Sequence, residues 1–130
     1  MATMSDQSTG DKVLDHFLNP RNVGDLPDAD GVGEVGAVSC GDVMRISIKV
    51  REGRIAEARF RTFGCGTSIA CSSVATELIR GRTLEEARRF SNEEVSAALG
   101  GLPAKKHHCP VLAEEAVCAA VEDCLRRQKA

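Results

Sequence analysis

Three of the six cysteines stand where the pattern of the chain changes direction. Cys40 lies in Ser39-Cys40-Gly41-Asp42, between one stretch of strand character and the next. Cys65 sits in Gly64-Cys65-Gly66, after a strand and just before a helix that opens at Thr67. Cys109 follows His107-His108 and precedes Pro110. Proline is favoured at the first position of a helix, which predicts Cys109 as the N-cap of the last one. A thiol at a helix N-terminus meets the positive end of the dipole and ionises below its usual pKa of ~8.5. Cys65 shares that help, and two thiolates prepared in this way suit a soft metal. Glycines on both sides of Cys65 remove Cβ bulk and permit unusual dihedrals, so that a metal or a partner's sulfur can approach the backbone. Asp42 and His108 extend the candidate set to Cys40, Asp42, Cys65, His108 and Cys109, more donors than a four-coordinate ion takes, so that one is spare or exchangeable. Asp42 points with Cys40 if the segment is extended, and away from it if the segment turns.

Spacing alone leaves a plainer alternative open. There is no C-x-x-C pair in the chain, and a reduced cysteine often serves as a small buried hydrophobe. That plainer reading is the one taken for Cys71 in the middle of a helix, for Cys124 on an apolar stripe and for Cys118 near Glu114 and Glu122. Lys105-Lys106-His107-His108 by itself reads as a solvated loop, and His16 as a histidine at the surface or the edge of the core. Six cysteines could also form three disulfides in a secreted domain. The stretch from Met1 to Gly10 is polar, with no apolar signal region. Reduced thiols in a cytoplasmic protein are the expectation, where clustered cysteines point to metal or catalysis.

Composition narrows the partners. Seventeen Lys and Arg against nineteen Asp and Glu leave a formal charge of −2, and the aromatics are four Phe with no Tyr or Trp. Neither a field for nucleic acid nor a base-stacking surface follows from this. No run of roughly 18 apolar residues exists to cross a membrane. A length of 130 residues fits one domain.

The elements that must carry the candidate residues change character halfway. Residues 1–10 read as a flexible lead-in, and residues 11–130 as the folded domain. Ser8 or Thr9 is positioned to cap a short helix with Val13, Leu14, Phe17 and Leu18 on one side, stopped at Asn19-Pro20. Residues 21–36 are rich in Gly, Pro and Asp and read as an extended loop, with Glu34–Ser39 as a candidate strand. Met44, Ile46, Ile48 and Val50 alternate with Arg45, Ser47 and Lys49, one face buried and one wet. Glu52-Gly53 turns the chain into a return strand, Ile55–Phe63, which is expected to bury Ala56, Ala58 and Phe60. From Thr67 the period is helical, with apolar positions at 70, 74 and 78 and a stop at Gly81. Thr83 with Glu86, and Ser91 with Glu94, have capping-box spacing. Pro110–Arg127 carries Ala113, Ala116, Val117, Ala120, Val121 and Cys124 on one stripe. Strands followed by helices predict an α+β domain, a small antiparallel sheet packed on a layer of helices.

From about Lys12 to Arg127 the chain resembles the IscU/NifU-type iron–sulfur cluster assembly scaffolds. The blocks that carry the resemblance are Val13-Leu14-Asp15-His16-Phe17 with Asn19-Pro20-Arg21-Asn22-Val23-Gly24, Cys40-Gly41-Asp42-Val43-Met44, and Phe63-Gly64-Cys65-Gly66-Thr67-Ser68-Ile69-Ala70. Gly81-Arg82-Thr83-Leu84-Glu85-Glu86-Ala87 and His108-Cys109 with Leu112-Ala113-Glu114-Glu115-Ala116 complete the order. A histidine before the third cysteine, and no long insertion after Cys65, resemble IscU or the N-terminal domain of NifU more than SufU. The resemblance implies that Cys40, Cys65 and Cys109 are the essential thiols, with Asp42 and His108 at the same site. It implies a scaffold, not a turnover enzyme, that takes persulfide sulfur at Cys109 and iron, builds a [2Fe–2S] cluster, and passes it to recipient apoproteins. The partners implied are a cysteine desulfurase, an electron donor such as ferredoxin, and frataxin-like and Hsp70/J-type chaperones. Where the family carries Leu-Pro-Pro-Val-Lys for chaperone recognition, this chain reads Leu102-Pro103-Ala104-Lys105-Lys106 and keeps Leu102, Pro103 and Lys106. The same donors suit tetrahedral Zn²⁺. Two other classes compete on the residues alone: a structural zinc domain closed by Cys40, Cys65, His108 and Cys109, and a thiol redox enzyme using Cys109 as nucleophile.

Overall fold

A computed structural model of the chain describes residues 12–37, 42–101 and 108–129. A short helix over residues 12–18 (α1) is followed by strands β1 (Gly31–Ala37), β2 (Asp42–Arg51) and β3 (Arg54–Phe63). Helices α2 (Gly66–Ile79), α3 (Leu84–Arg88), α4 (Asn92–Ala98) and α5 (His108–Lys129) complete the chain. The expected lead-in over residues 1–10, with its Ser8 or Thr9 cap, lies outside the described residues, as do Cys40 and the Leu102–Lys106 segment.

The sheet is an antiparallel meander in the order β1-β2-β3. Its inward rows run Gly33–Ile46–Phe60 and Gly31–Ile48–Ala58, against α5 and α2. One outward row is charged throughout, Glu34–Arg45–Arg61. Together with Met44, Val74, Ile79, Val117 and Val121 the inward side chains form one buried cluster. Both capping boxes are present as the spacing predicts, at Thr83 with Glu86 and at Ser91 with Glu94. Glu52 (φ 56°) and Gly53 (φ 76°) make the tight turn between β2 and β3 with both central residues in the left-handed region.

Three expectations need correction. Residues 31–36 are not loop: β1 begins at Gly31 and pairs with β2 up to Ala37. Gly31 and Gly33 read as turn residues in sequence, but they are there because α5 lies directly on the strand. A Cβ on Gly33 would sit 2.3 Å from Ala116 O and 2.4 Å from Ala120 N. Second, Ile55 is buried (1% exposed) and Ala56 is only partly so. The pairing skips from Lys49↔Glu57 to Val50↔Ile55, so a bulge at Ala56 reverses the alternation there. Third, Ser47 is buried on the face read as wet. Its short side chain lies in the middle strand between Val32 and Arg59.

Because the two shortest of these clashes at Gly33 are with backbone, Gly33→Ala is expected to cost about 3 kcal/mol or more, at the upper end of overpacking. Urea unfolding measures this directly. An unchanged midpoint would mean that α5 does not lie against β1 as described.

Candidate functional site

The start of α2 collects the groups that matter. Cys65 is the N-cap of α2 in extended conformation (φ −77°, ψ 171°), and its side chain makes no backbone cap bond. Its Sγ instead lies 3.6 Å from Ser68 Oγ, one turn along the helix. Ser68 Oγ donates to Asp42 Oδ1 at 2.8 Å, and Cys109 Sγ lies 3.3 Å from Ser68 Oγ. The first residue of β2, the cap of α2, and the first turn of α5 therefore converge on a single buried hydroxyl.

Gly64 is required by this arrangement for a reason of space. A Cβ there would stand 2.2 Å from Asp42 Oδ1 and 3.2 Å from Ser68 Oγ, so the carboxylate occupies the room a side chain would take. Gly66 has Phe17 of α1 at the same distance scale, its Cδ1 3.2 Å from where a Cβ would be. Neither glycine has a positive φ. The glycine pair serves close approach, and the unusual dihedrals expected beside Cys65 are not adopted.

Of the five candidate donors, the structure brings together Asp42, Cys65 and Cys109. Cys40 lies outside the described residues, and so does the side chain of His108. Among the described residues no group of three His, Cys, Asp or Glu is arranged to hold a metal ion by itself. Ser68 was not among the residues singled out from the sequence. Its signal was its position, three residues after Cys65 at a helix start, which puts both on one face.

Cys109 differs from expectation in two linked ways. α5 is already helical at His108, so Cys109 is inside the helix and not on its N-cap. It is also fully buried. Burial pushes its thiol up from 9.0 to about 11, against the pull of the Ser68 hydrogen bond, with Cys65 and Asp42 adding to the rise. The dipole-lowered thiolate expected at Cys109 is not what the fold provides, because loss of solvent outweighs the helix start. Cys71 is displaced upward too, by burial first and then by the Cys109 and Cys65 thiols.

These shifts carry a consequence at alkaline pH. Between about 9 and 11 the unfolded chain gives up thiol protons that the folded chain keeps, so stability is fully present below pH 9 and falls as pH rises through that window. Each such thiol contributes up to about 1.4 kcal/mol per pH unit. Urea unfolding of reduced, metal-free protein at pH 8 and pH 10 should show the decline, and Cys71→Ala should make it shallower. A slope identical in wild type and Cys71→Ala would remove Cys71 from the account.

The remaining cysteines and His16 behave as structural residues. Cys71 and Cys124 are buried in the core, and Cys118 is half-buried with its Sγ 3.6 Å from Arg88 O. His16 sits at the core edge, its Nδ1 2.8 Å from Ser73 Oγ and Nε2 3.6 Å from Glu77, which ties α1 to α2. α2 is buried on more sides than its apolar positions implied: Ser68, Ser72, Ser73 and Thr76 are all buried. Each hydroxyl has a partner, such as Ser72 Oγ to Ser68 O at 2.9 Å and Thr76 Oγ1 to Ser73 O at 2.7 Å.

Comparison with known proteins follows the same outline. The family described as the NifU-like N terminal domain matches residues 8–130. A protein of Azotobacter vinelandii named iron-sulfur cluster assembly scaffold protein IscU is 56% identical over 117 residues, covering 87% of this chain and 91% of that one. One of Archaeoglobus fulgidus, named iron-sulfur cluster assembly scaffold protein IscU 1, is 54% identical over 117 residues and covers 90% and 76%. The crystal structure of a nitrogen-fixing NifU-like protein (N-terminal) from Brucella abortus superposes with a TM-score of 0.62 at 26% identity, over 98% of this chain and 99% of that one.

Proposed function

The chain belongs to the NifU-like N-terminal domain family, and from that premise we propose that it is an iron–sulfur cluster assembly scaffold, not a turnover enzyme. Its cargo is a [2Fe–2S] cluster built with Cys40, Asp42, Cys65, His108 and Cys109. The observation that carries this reading is the meeting of Asp42, Cys65 and Cys109 around Ser68 Oγ, all within 3.6 Å of that atom. Two thiols and a carboxylate fit iron better than they fit a closed structural zinc site, because the carboxylate is the harder, more exchangeable donor.

Sulfur arrives from a cysteine desulfurase as an enzyme persulfide. The Cys109 thiolate attacks the outer sulfur, the donor's S–S bond breaks, the desulfurase cysteine leaves as thiolate, and Cys109 carries the persulfide. An electron donor such as ferredoxin then supplies the reducing equivalents that convert this sulfur to sulfide. Asp42, a weaker ligand than a fourth cysteine, keeps the product transferable to recipient apoproteins. The same donors take Zn²⁺ in the absence of iron. The proposal places the protein in the cytoplasm, with frataxin-like and Hsp70/J-type proteins as further partners; among the described residues no helix is long and apolar enough to cross a membrane.

Anaerobic reconstitution with iron and sulfide separates the three readings. The scaffold gives a coloured, oxygen-labile product with matching iron and acid-labile sulfide. A colourless protein that keeps zinc and takes up no sulfide would overturn it.

A further inference from the structure

We propose that Ser68 is the positioning residue of this site: its hydroxyl holds the Asp42 carboxylate beside the Cys65 and Cys109 sulfurs and so governs how often Asp42 engages the bound metal. The role in cluster handling rests on the scaffold reading above. The positioning itself rests on geometry.

A serine hydroxyl has one proton to give, and the carboxylate is the strongest acceptor within reach. The 2.8 Å bond to Asp42 Oδ1 uses that proton, and the two sulfurs lie 3.3 and 3.6 Å from the same hydroxyl oxygen. Asp42 is the first residue of β2, and the bond to Ser68 ties its carboxylate to α2. The tie to α2 fixes its rotamer, and Gly64 leaves the space for the carboxylate it positions.

Helix propensity gives no reason for a serine here. Position 68 is fully buried within a helix, where alanine has the better propensity and no hydroxyl to satisfy. What alanine lacks is the bond to Asp42. Partners that orient a ligand in this way are typically worth about 10- to 100-fold in metal-site behaviour.

Ser68→Ala should therefore act through Asp42. Measured on reconstituted protein, it should lengthen the half-life of cluster loss to a chelator toward that of Asp42→Ala, by about tenfold. In the Asp42→Ala background it should change nothing further, since the group it positions is gone. Ser68→Ala should lose no more stability than one hydrogen bond to a carboxylate supplies, and cobalt(II) spectra separate positioning from folding. Cobalt(II) bound to the apoprotein supplies a second readout: its ligand-field spectrum in Ser68→Ala should move toward that of Asp42→Ala, and the double variant should match Asp42→Ala. Equal cluster half-lives in wild type and Ser68→Ala, or effects that multiply in the double variant, would overturn the proposal. If the wild type assembles no cluster, the scaffold reading falls, and the cobalt spectra still decide Ser68: coupled changes support it, and independent or absent changes refute it.

Discussion

Asp42→Ala is expected to lengthen the life of the assembled cluster about tenfold or more, whereas Cys65→Ser should prevent stable assembly altogether. The difference follows from what each donor contributes. In the proposed site, with five donors for fewer positions, the carboxylate is the one whose exchange would open an iron to an incoming thiol. Without it the softer set of Cys40, Cys65, His108 and Cys109 stays on. Cys65 has no substitute. It is the N-cap of α2, fixed in extended conformation, with its sulfur directed to the same hydroxyl that binds Asp42. A serine there presents a hard, poorly ionised oxygen in place of thiolate. Visible absorbance followed after anaerobic reconstitution measures both variants. Equal cluster lifetimes in wild type and Asp42→Ala would sink the role given to Asp42, and a stable cluster in Cys65→Ser would remove that thiol from the ligand set.

Cys109→Ser is expected to abolish sulfur loading by a cysteine desulfurase in a single turnover before any iron is added. Persulfide mapped by mass spectrometry should appear first on Cys109 in the wild type. The geometry adds a condition absent from a simple helix-cap argument. Cys109 is buried within α5 and its thiol is pushed up to about 11. With a small persulfide donor and no desulfurase, loading should therefore rise about tenfold per pH unit from pH 7 to pH 10, in step with the thiolate fraction. The desulfurase complex should be faster and less dependent on pH, because docking has to uncover the thiol before transfer. Label arriving first on Cys40 or Cys65, with Cys109→Ser still fully loaded, would show the assignment to be wrong.

The antiparallel β2–β3 pair, the two capping boxes and the apolar stripe of α5 were all readable from the chain alone, because each depends on residues within one or two turns of each other. Alternation from Met44 to Ile48, the Glu52-Gly53 turn, and Thr83 with Glu86 express local rules of backbone geometry and hydrogen bonding. Of the three candidate thiols, Cys65 and Cys109 stood out by type and by their place near helix starts, whereas Cys40 lies outside the described residues. The structure seats two of them, with Asp42, at one point.

What local rules missed was decided by contacts between distant segments. Gly31 and Gly33 look like loop residues until α5, more than 80 positions later, is laid across them. Ala56 looks inward until a skipped pairing at Val50 reverses the strand. Cys109 looks like an ionised cap until the core closes over it and desolvation outweighs the helix start. Ser68 carries no motif of its own. It becomes the centre of the site because β2, α2 and α5 bring a carboxylate and two sulfurs to its hydroxyl from 26, 3 and 41 residues away. Residue type and spacing determine which chemistry the chain can perform. Close packing of separate elements determines which atoms meet, how much water they keep, and therefore which of them is ready to react.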